Sequence, residues 1–158
     1  MHQNMKNFYD QQDIKNLKIN LLLSPMIDKD YPDITVKITT TLSNDSWDNT
    51  TILHEGFLTE KTRFEHKQEL LRSFKVSIEL KNKNYITSPK TAISIDSFKI
   101  DDFEIVPNWT QLANYTNVNN VSTPTSHLGF IGTWSLSIHE PFYRWHHRIT
   151  GQGWLLKP

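Results

Sequence analysis

The carboxyl-terminal residues 141–158, PFYRWHHRITGQGWLLKP, concentrate aromatic, cationic and imidazole side chains in one short stretch. If residues 142–148 form a strand, Tyr143, Trp145 and His147 share one face, because successive strand residues point to opposite faces. A flat aromatic ring beside hydrogen-bonding groups suits a sugar or a base, since the ring covers apolar surface and the polar groups fix orientation. The candidate ligand-binding residues are therefore Tyr143, Arg144, Trp145 and His147.

The same aromatic residues have a second interpretation. Large aromatic side chains in small domains are more often buried than exposed. Trp145 and Trp154 could therefore belong to the core or to an interface between subunits. The sequence leaves both interpretations open.

Three groups of side chains could ligate a metal ion. The acidic residues Asp96, Asp101 and Asp102 could hold calcium, which prefers several oxygen ligands, and Asp28, Asp30 and Asp33 form a looser cluster. A solvated strand face is the alternative for these acids. The group His139, Glu140, His146 and His147 suggests zinc, but neighbouring histidines on a strand face opposite ways and no HExxH motif is present. We predict no cofactor, with calcium as the open alternative.

Motifs of catalysis are absent from the sequence. It contains no GxSxG elbow, no glycine-rich phosphate loop and no cysteine. Carboxylate pairs that meet only in the fold remain possible. The sequence therefore favours a non-enzymatic protein.

The elements that must position these residues are short strands. Apolar residues alternate with polar ones in residues 17–23, 34–42, 74–80 and 134–138, which is the period of a half-buried strand. In residues 91–106 the alternation changes phase, which predicts a β-bulge near Asp96 and Ser97. About eight strands separated by turns predict an all-β fold, a two-sheet β-sandwich or jelly roll with at most one short helix.

Three segments complete this prediction. Residues 59–73, TEKTRFEHKQELLRS, form the helix candidate, because Thr62 and Glu65 make a capping-box pattern. Residues 114–127 read as a long polar loop. The last residues are predicted to be short strands around Gly151 and Gly153.

Composition and charge narrow the expected partners. The 158-residue chain carries 17 basic and 17 acidic side chains, so its net charge is zero. Such a chain lacks the positive field that draws nucleic acid and the polybasic segment that draws it to an anionic membrane. We therefore expect neither partner. The polar amino terminus has no apolar signal region, which predicts synthesis in the cytoplasm.

The domain prediction is a flexible arm of residues 1–15 and a single β-sandwich of residues 16–158. The arm has few apolar residues and no period. A chain of this length can bury one substantial core.

The segment TAISIDSFKIDDFEI resembles the late strands of carbohydrate-binding β-jelly-roll modules, including those of virion type. Its rhythm of apolar and acidic residues lies at Ile95, Asp96, Phe98, Ile100 and Asp101. The resemblance implies a binding module that recognises a carbohydrate, and the C-terminal aromatics are the residues that we expect to contact it. The alternative is a structural or assembly protein, as in a virion or tail, with the same aromatics at the interface of a homo-oligomer. The expected partner is thus a glycan or a second copy of the chain.

Overall fold

A computed structural model describes residues 16–41, 47–69, 73–138 and 142–150 of the chain. The predicted arm, residues 1–15, lies outside the described residues. Within them the strands are β1 Asn16–Met26, β2 Asp33–Thr41, β3 Trp47–Phe57, β4 Thr62–Glu69, β5 Phe74–Leu80, β6 Ala92–Ile100, β7 Phe103–Val106, β8 Asn114–Asn117, β9 Ser122–Thr123, β10 His127–Leu128 and β11 Gly132–Ile138. A short 3-10 helix covers Thr110–Leu112 and helix α1 covers Phe142–Thr150.

The strands form two antiparallel sheets. One sheet has the order β10-β6-β1-β4, with β7 also paired to β6, and the other has the order β3-β2-β5-β11-β8-β9. Strands β5 and β11 bury every second residue, so their apolar faces point to one side. Phe98 of one sheet meets Trp134 of the other with ring centroids 5.7 Å apart, and both side chains are fully buried. The predicted all-β, two-sheet sandwich is confirmed.

The predicted β-bulge is present in β6. Leu22 of β1 pairs with Ser97 and Leu23 pairs with Ile95, which leaves Asp96 as the extra residue. The bulge lets Ile95 and Phe98 both point into the core despite their odd spacing.

Residues 62–69 form strand β4, so the helix predicted in residues 59–73 is wrong. The side chains of Thr62, Phe64 and His66 are half-buried, whereas the charged residues between them are exposed. This period of two fits an edge strand whose outer face carries charges. Pairing with β1 and the contact of Phe64 with His54, at 5.6 Å between ring centroids, override the local helix propensity.

The prediction of a strand at residues 142–148 is also wrong, because these residues belong to α1. The inward side chains recur at a spacing of three and four, which is the period of an amphipathic helix; they are Phe142, Trp145, His146 and Ile149. In the sequence, Pro141 before and Gly151 after this segment are typical of helix ends. No helix in the described part of the chain has the length and apolar character needed to cross a bilayer.

The polar segment 114–127 is not one long loop. It contains β8, β9 and the first residue of β10, and Asn117 shapes the hairpin between β8 and β9. The Asn117 side-chain oxygen accepts hydrogen bonds from the amides of Asn119 and Val121. The hydrogen bonds to the Asn117 side chain, rather than a tight-turn sequence, therefore shape this hairpin.

The register of the sheets defines two ends of the sandwich. Met26 pairs with Ala92 and Leu80 pairs with Gly132, so residues 27–32, 81–91 and 129–131 lie at one end, here called the loop end. The turn between β6 and β7 lies at the opposite end. Helix α1 packs there against Phe103, and this end is called the helix end.

Close contact between β8 and β11 depends on Gly132. A Cβ atom at this position would lie 2.5 Å from the Thr116 carbonyl oxygen and 3.2 Å from Cε1 of Tyr115. The Tyr115 ring is fully buried, stacks on Phe130 at 4.2 Å and donates its hydroxyl to the Phe130 carbonyl. Burial raises the pKa of Tyr115, so its hydroxyl stays protonated. Neither the ring nor the backbone has space to yield.

We expect Gly132→Ala to lower the free energy of unfolding by about 1–3 kcal/mol, the usual cost of overpacking. Urea denaturation followed by tryptophan fluorescence measures this loss. Gly129→Ala is the matched control, because its added Cβ meets only the side chain of His127. Equal losses for the two variants would contradict the proposed close contact.

Candidate ligand-binding cleft

An open cleft of about 750 Å³ lies at the helix end, between the β6–β7 turn, strand β1 and helix α1. This volume falls within the range of roughly 300–1,000 Å³ that small-molecule sites occupy. Its polar wall consists of Lys18, Asn20, Lys99, Asp101 and Asp102. Its apolar and imidazole wall consists of Ile100, Phe103, Phe142 and His146.

Strand β1 contributes Lys18 and Asn20 to the cleft. Both alternate with fully buried leucine and isoleucine residues, so they point away from the core. The Asn20 side-chain oxygen accepts a hydrogen bond of 2.5 Å from Arg63, and its amide nitrogen lies 3.4 Å from Glu65. Neighbouring strand β4 therefore holds the Asn20 amide in a fixed orientation.

The β6–β7 turn is fastened to β1 by a reciprocal pair of hydrogen bonds. The Lys18 amide donates to Oδ1 of Asp101 at 2.8 Å, and the Asp101 amide donates to the Lys18 carbonyl at 2.7 Å. Asp101 has a φ of 53°, a left-handed conformation that aspartate tolerates better than most residues. Lys99 lies 3.9 Å from Glu104, which steadies its ammonium group beside the turn.

Phe103 joins the helix to the sandwich. Its ring centroid is 4.3 Å from that of His146, 6.2 Å from that of Trp145 and 6.5 Å from that of Phe142. The ring of Trp109 lies 6.1 Å away on the 3-10 helix side. Edge-to-face and tilted contacts of this kind favour a fixed arrangement of the rings. The helical wall of the cleft is therefore set by one aromatic cluster.

His146 is the titratable member of this cluster. Burial against the aromatic rings lowers the pKa of His146, and the neighbouring His147 lowers it further, with the two ring centroids 6.1 Å apart. At neutral pH the His146 ring is accordingly uncharged. A neutral imidazole carries one donor and one acceptor nitrogen. His146 can therefore donate a hydrogen bond to a hydroxyl group or accept one from it.

The four predicted binding residues lie on helix α1 and do not share a face, because consecutive helix residues are about 100° apart. Trp145 is only 5% exposed and packs against Phe103 and Phe142. Arg144 is exposed and His147 is half-buried. The side chain of Tyr143 lies outside the described part of the structure. The helix residues that line the cleft are Phe142 and His146.

The structure does not bring the candidate calcium ligands together. On the β6 bulge, Asp96 accepts hydrogen bonds from the hydroxyls of Ser24 and Ser94 and lies 3.6 Å from Lys61. Asp101 and Asp102 occupy the helix-end turn, and the cluster of Asp28, Asp30 and Asp33 lies at the loop end. Among the described residues, no three histidine, aspartate or glutamate side chains form a group suited to a metal ion. His139 and Glu140 lie outside the described residues.

Comparisons with known proteins add little to this geometry. No protein-family model matches the chain, and no curated protein sequence does. Among solved structures, the chain is similar to one described as "vCBM60 in complex with galactobiose". The two share 10% sequence identity and a TM-score of 0.40, over 77% of this chain and 99% of the other. A likeness at this level supports no inference about a shared ligand, so the function is argued from the cleft.

We expect Trp145→Ala to destabilise the domain by about 3 kcal/mol, because it removes a buried ring from the aromatic cluster. Arg144→Ala, on the exposed side of the same helix, should change stability by less than about 0.5 kcal/mol. Chemical denaturation monitored by circular dichroism measures both. A loss for Trp145→Ala as small as that for Arg144→Ala would show that the tryptophan is not buried.

The pKa of His146 predicts a pH dependence of stability. The folded state binds the imidazole proton less tightly than the unfolded state, whose histidine pKa is near about 6.5. The buried, uncharged His146 therefore stabilises the fold above a pH of about 6.5. This stabilisation is lost as the pH falls from that value toward the lowered pKa of His146 in the folded protein.

The test is the melting temperature of the wild type and of His146→Gln at about pH 7.5 and about pH 5, roughly one unit above and one and a half units below the unfolded histidine pKa. The variant cannot gain this proton, so its melting temperature should fall less between the two pH values. Exposed His127→Gln is the control and should behave like the wild type. An unchanged pH response in His146→Gln would refute the assignment.

Proposed function

We propose that the chain is a non-enzymatic carbohydrate-binding module and that the helix-end cleft holds the sugar. The observation that carries this proposal is the convergence of fixed donors, acceptors and a half-buried aromatic wall in one open cleft. A sugar presents hydroxyl groups around its edge and C–H groups on its faces. Both kinds of surface find partners here.

The polar wall suits hydroxyl groups. The Asn20 amide can donate and accept, the carboxylate of Asp102 accepts, and the ammonium groups of Lys18 and Lys99 donate. Neutral His146 adds a group that can do either. Because a hydroxyl both donates and accepts, a mixed lining of this kind can satisfy several hydroxyls on one ring.

The apolar wall suits a sugar face. Phe103 is half-buried and lies against the His146 ring, so part of this aromatic cluster borders the cleft. A C–H face laid on an aromatic surface leaves water without exposing a polar group. The same cluster also keeps the wall rigid, which reduces the ordering cost of binding.

The charges of the cleft favour a neutral sugar. The two lysines of the lining, Lys18 and Lys99, are balanced by Asp101 and Asp102. With His146 uncharged, no excess of either sign remains to attract an anionic ligand. Binding to a neutral oligosaccharide should accordingly depend little on salt concentration.

The residues predicted from the sequence have different roles in this proposal. Trp145 acts indirectly, by holding α1 against Phe103. Arg144 and His147 lie on other sides of the helix, where they could contact parts of a longer glycan beyond the cleft. The assembly alternative has weaker support, because a Trp145 already buried within its own chain offers little surface to a subunit.

A glycan array followed by calorimetric titration of the best neutral oligosaccharide tests the proposal. Asn20→Ala should weaken binding about fivefold, the effect of losing one hydrogen bond worth about 1 kcal/mol. Asp102→Asn should also weaken binding, since the exposed turn carboxylate becomes an amide. The matched controls Asn119→Ala and Glu60→Gln change exposed residues outside the cleft and should bind as the wild type does.

Two results would refute the proposal. One is the absence of binding to every glycan class on the array. The other is binding that persists unchanged in both cleft variants, which would place the sugar elsewhere on the domain.

A further inference from the structure

Strand β4 forms an edge at which the described part of its sheet ends. Its eight residues pair with β1 on one side, and no other described strand lies on the far side. The pairing runs from Leu23 opposite Thr62 to Asn16 opposite Glu69 without a shift of register. A long and regular edge presents a row of backbone N–H and C=O groups with which another strand can pair.

The other described edges of the two sheets are shorter or irregular. Strands β7, β9 and β10 have four, two and two residues. Strand β3 has eleven, but its register with β2 shifts twice, between Val36 and Lys37 and between Thr40 and Thr41. Bulges of this kind twist an edge and limit the length over which a second strand can pair with it. Strand β4 is therefore the described edge that best suits pairing.

The residues of β4 separate into a charged face and a face turned toward the core. Arg63, Glu65 and Lys67 are exposed, and the sequence continues this alternation of sign with glutamate at position 69. Phe64 and His66, between them, are half-buried, and Phe64 packs against the core. The inward positions 62, 64 and 66 hold no lysine, arginine or acidic residue. Such inward charges are one device that prevents edges from pairing, and β4 lacks it at these positions.

One antiparallel register between two copies of β4 brings opposite charges together. When His66 lies opposite His66 of the second copy, Glu65 lies opposite Lys67 and position 63, an arginine, lies opposite position 69, a glutamate. Two-fold symmetry makes each of these pairs occur twice. Opposite charges at directly opposite positions stabilise a pair of strands, and like charges destabilise it.

The neighbouring registers bring like charges together. A pair centred on Glu65 sets this glutamate against its own copy and Arg63 against Lys67. A pair centred on Lys67 sets two lysines against each other. A pair centred on Phe64 joins Arg63 to Glu65 but also sets Lys61 against Lys67. Shifts by a single residue are excluded, because they place an outward residue opposite an inward one.

These charges also select the occupant of the edge. The alternation of sign along β4 is its own complement when it is reversed about His66, so a second copy matches every charged position by symmetry. A strand of unrelated sequence would have to match each position separately. Specificity of this kind comes from the repulsion in the wrong pairings as well as from the attraction in the right one.

We propose that the chain forms a two-fold homodimer in which the β4 edges pair antiparallel about His66 and join the two sheets that contain β1 into one. Backbone hydrogen bonds between the edges and further burial of Phe64 supply the affinity, since Phe64 lies diagonal to His66 of the second copy and within reach of its ring. Exposed ion pairs add little free energy, so they mainly fix the register. The dimer requires neither the carbohydrate cleft nor an exposed C-terminal aromatic.

Sedimentation velocity of the full chain over a series of concentrations tests the proposal. The wild type should show an equilibrium between monomer and dimer. Glu65→Lys should weaken dimerisation by about tenfold, because pairs of lysines replace both of its ion pairs across the interface. Lys67→Glu should weaken it similarly, with pairs of carboxylates. Thermal melting of the dilute variants should match that of the dilute wild type, because both side chains are exposed.

Glu55→Lys is the matched control for Glu65→Lys. Glu55 is exposed on the other long edge strand, β3, and lies 3.6 Å from Lys81, as Glu65 lies 4.0 Å from Lys18. The control variant therefore makes the same change of charge and loses a similar surface ion pair. It should dimerise as the wild type does.

The two β4 variants are complementary to each other. In an equimolar mixture of Glu65→Lys and Lys67→Glu, each lysine of one chain lies opposite a glutamate of the other. Heterodimers should therefore form at concentrations at which each variant alone is a monomer. The double variant that carries both changes should form homodimers again. Pairing of β4 with residues 1–15 of its own chain would give neither result.

Three outcomes would overturn the dimer proposal. The first is a wild type that stays monomeric throughout the concentration series. The second is a dimer that persists as strongly in both single variants, which would place the interface elsewhere on the domain. The third is a double variant and a mixture that both stay monomeric, which would show that the copies do not pair about His66.

Discussion

The bulge at Asp96 is the constraint on which the arrangement of this domain depends. Strand β6 must bury Ile95 in one half and Phe98 in the other, and an uninterrupted period of two cannot bury both. One extra residue restores the inward phase. It also sends Lys99 outward, toward the helix-end cleft. Asp96 itself bonds to two serine hydroxyls, so the polar residue that makes the bulge is satisfied.

The helix-end cleft depends on the aromatic cluster around Phe103, because this cluster forms the apolar wall of the cleft. Strand β7 is four residues long and would offer little by itself. With α1 packed on Phe103, the rings of Phe142 and His146 border the cleft. Helix stability here comes from this contact rather than from length, since a nine-residue helix is marginal alone.

The sequence predicts the parts of the fold that follow one period. Strands such as β5 and β11 have an unbroken alternation, and the shift of phase at Asp96 is visible without a structure. The errors arise where two periods compete. Residues 62–69 combine a capping-box pattern with an alternation of charged and less polar residues, and pairing with β1 decides in favour of the strand. Residues 142–150 alternate over a few positions, yet Phe142, Trp145, His146 and Ile149 already show the helical spacing.

The cleft is harder to predict than the fold for a physical reason. Lys18, Asn20 and Lys99 are outward residues on half-buried strands, and in the sequence they look like any solvated face. Only the turn at Asp101 and the packing of α1 give these positions a shared cavity. His146 carries a signal in the sequence as a histidine on the apolar stripe of a helix, but that signal depends on recognising the helix first.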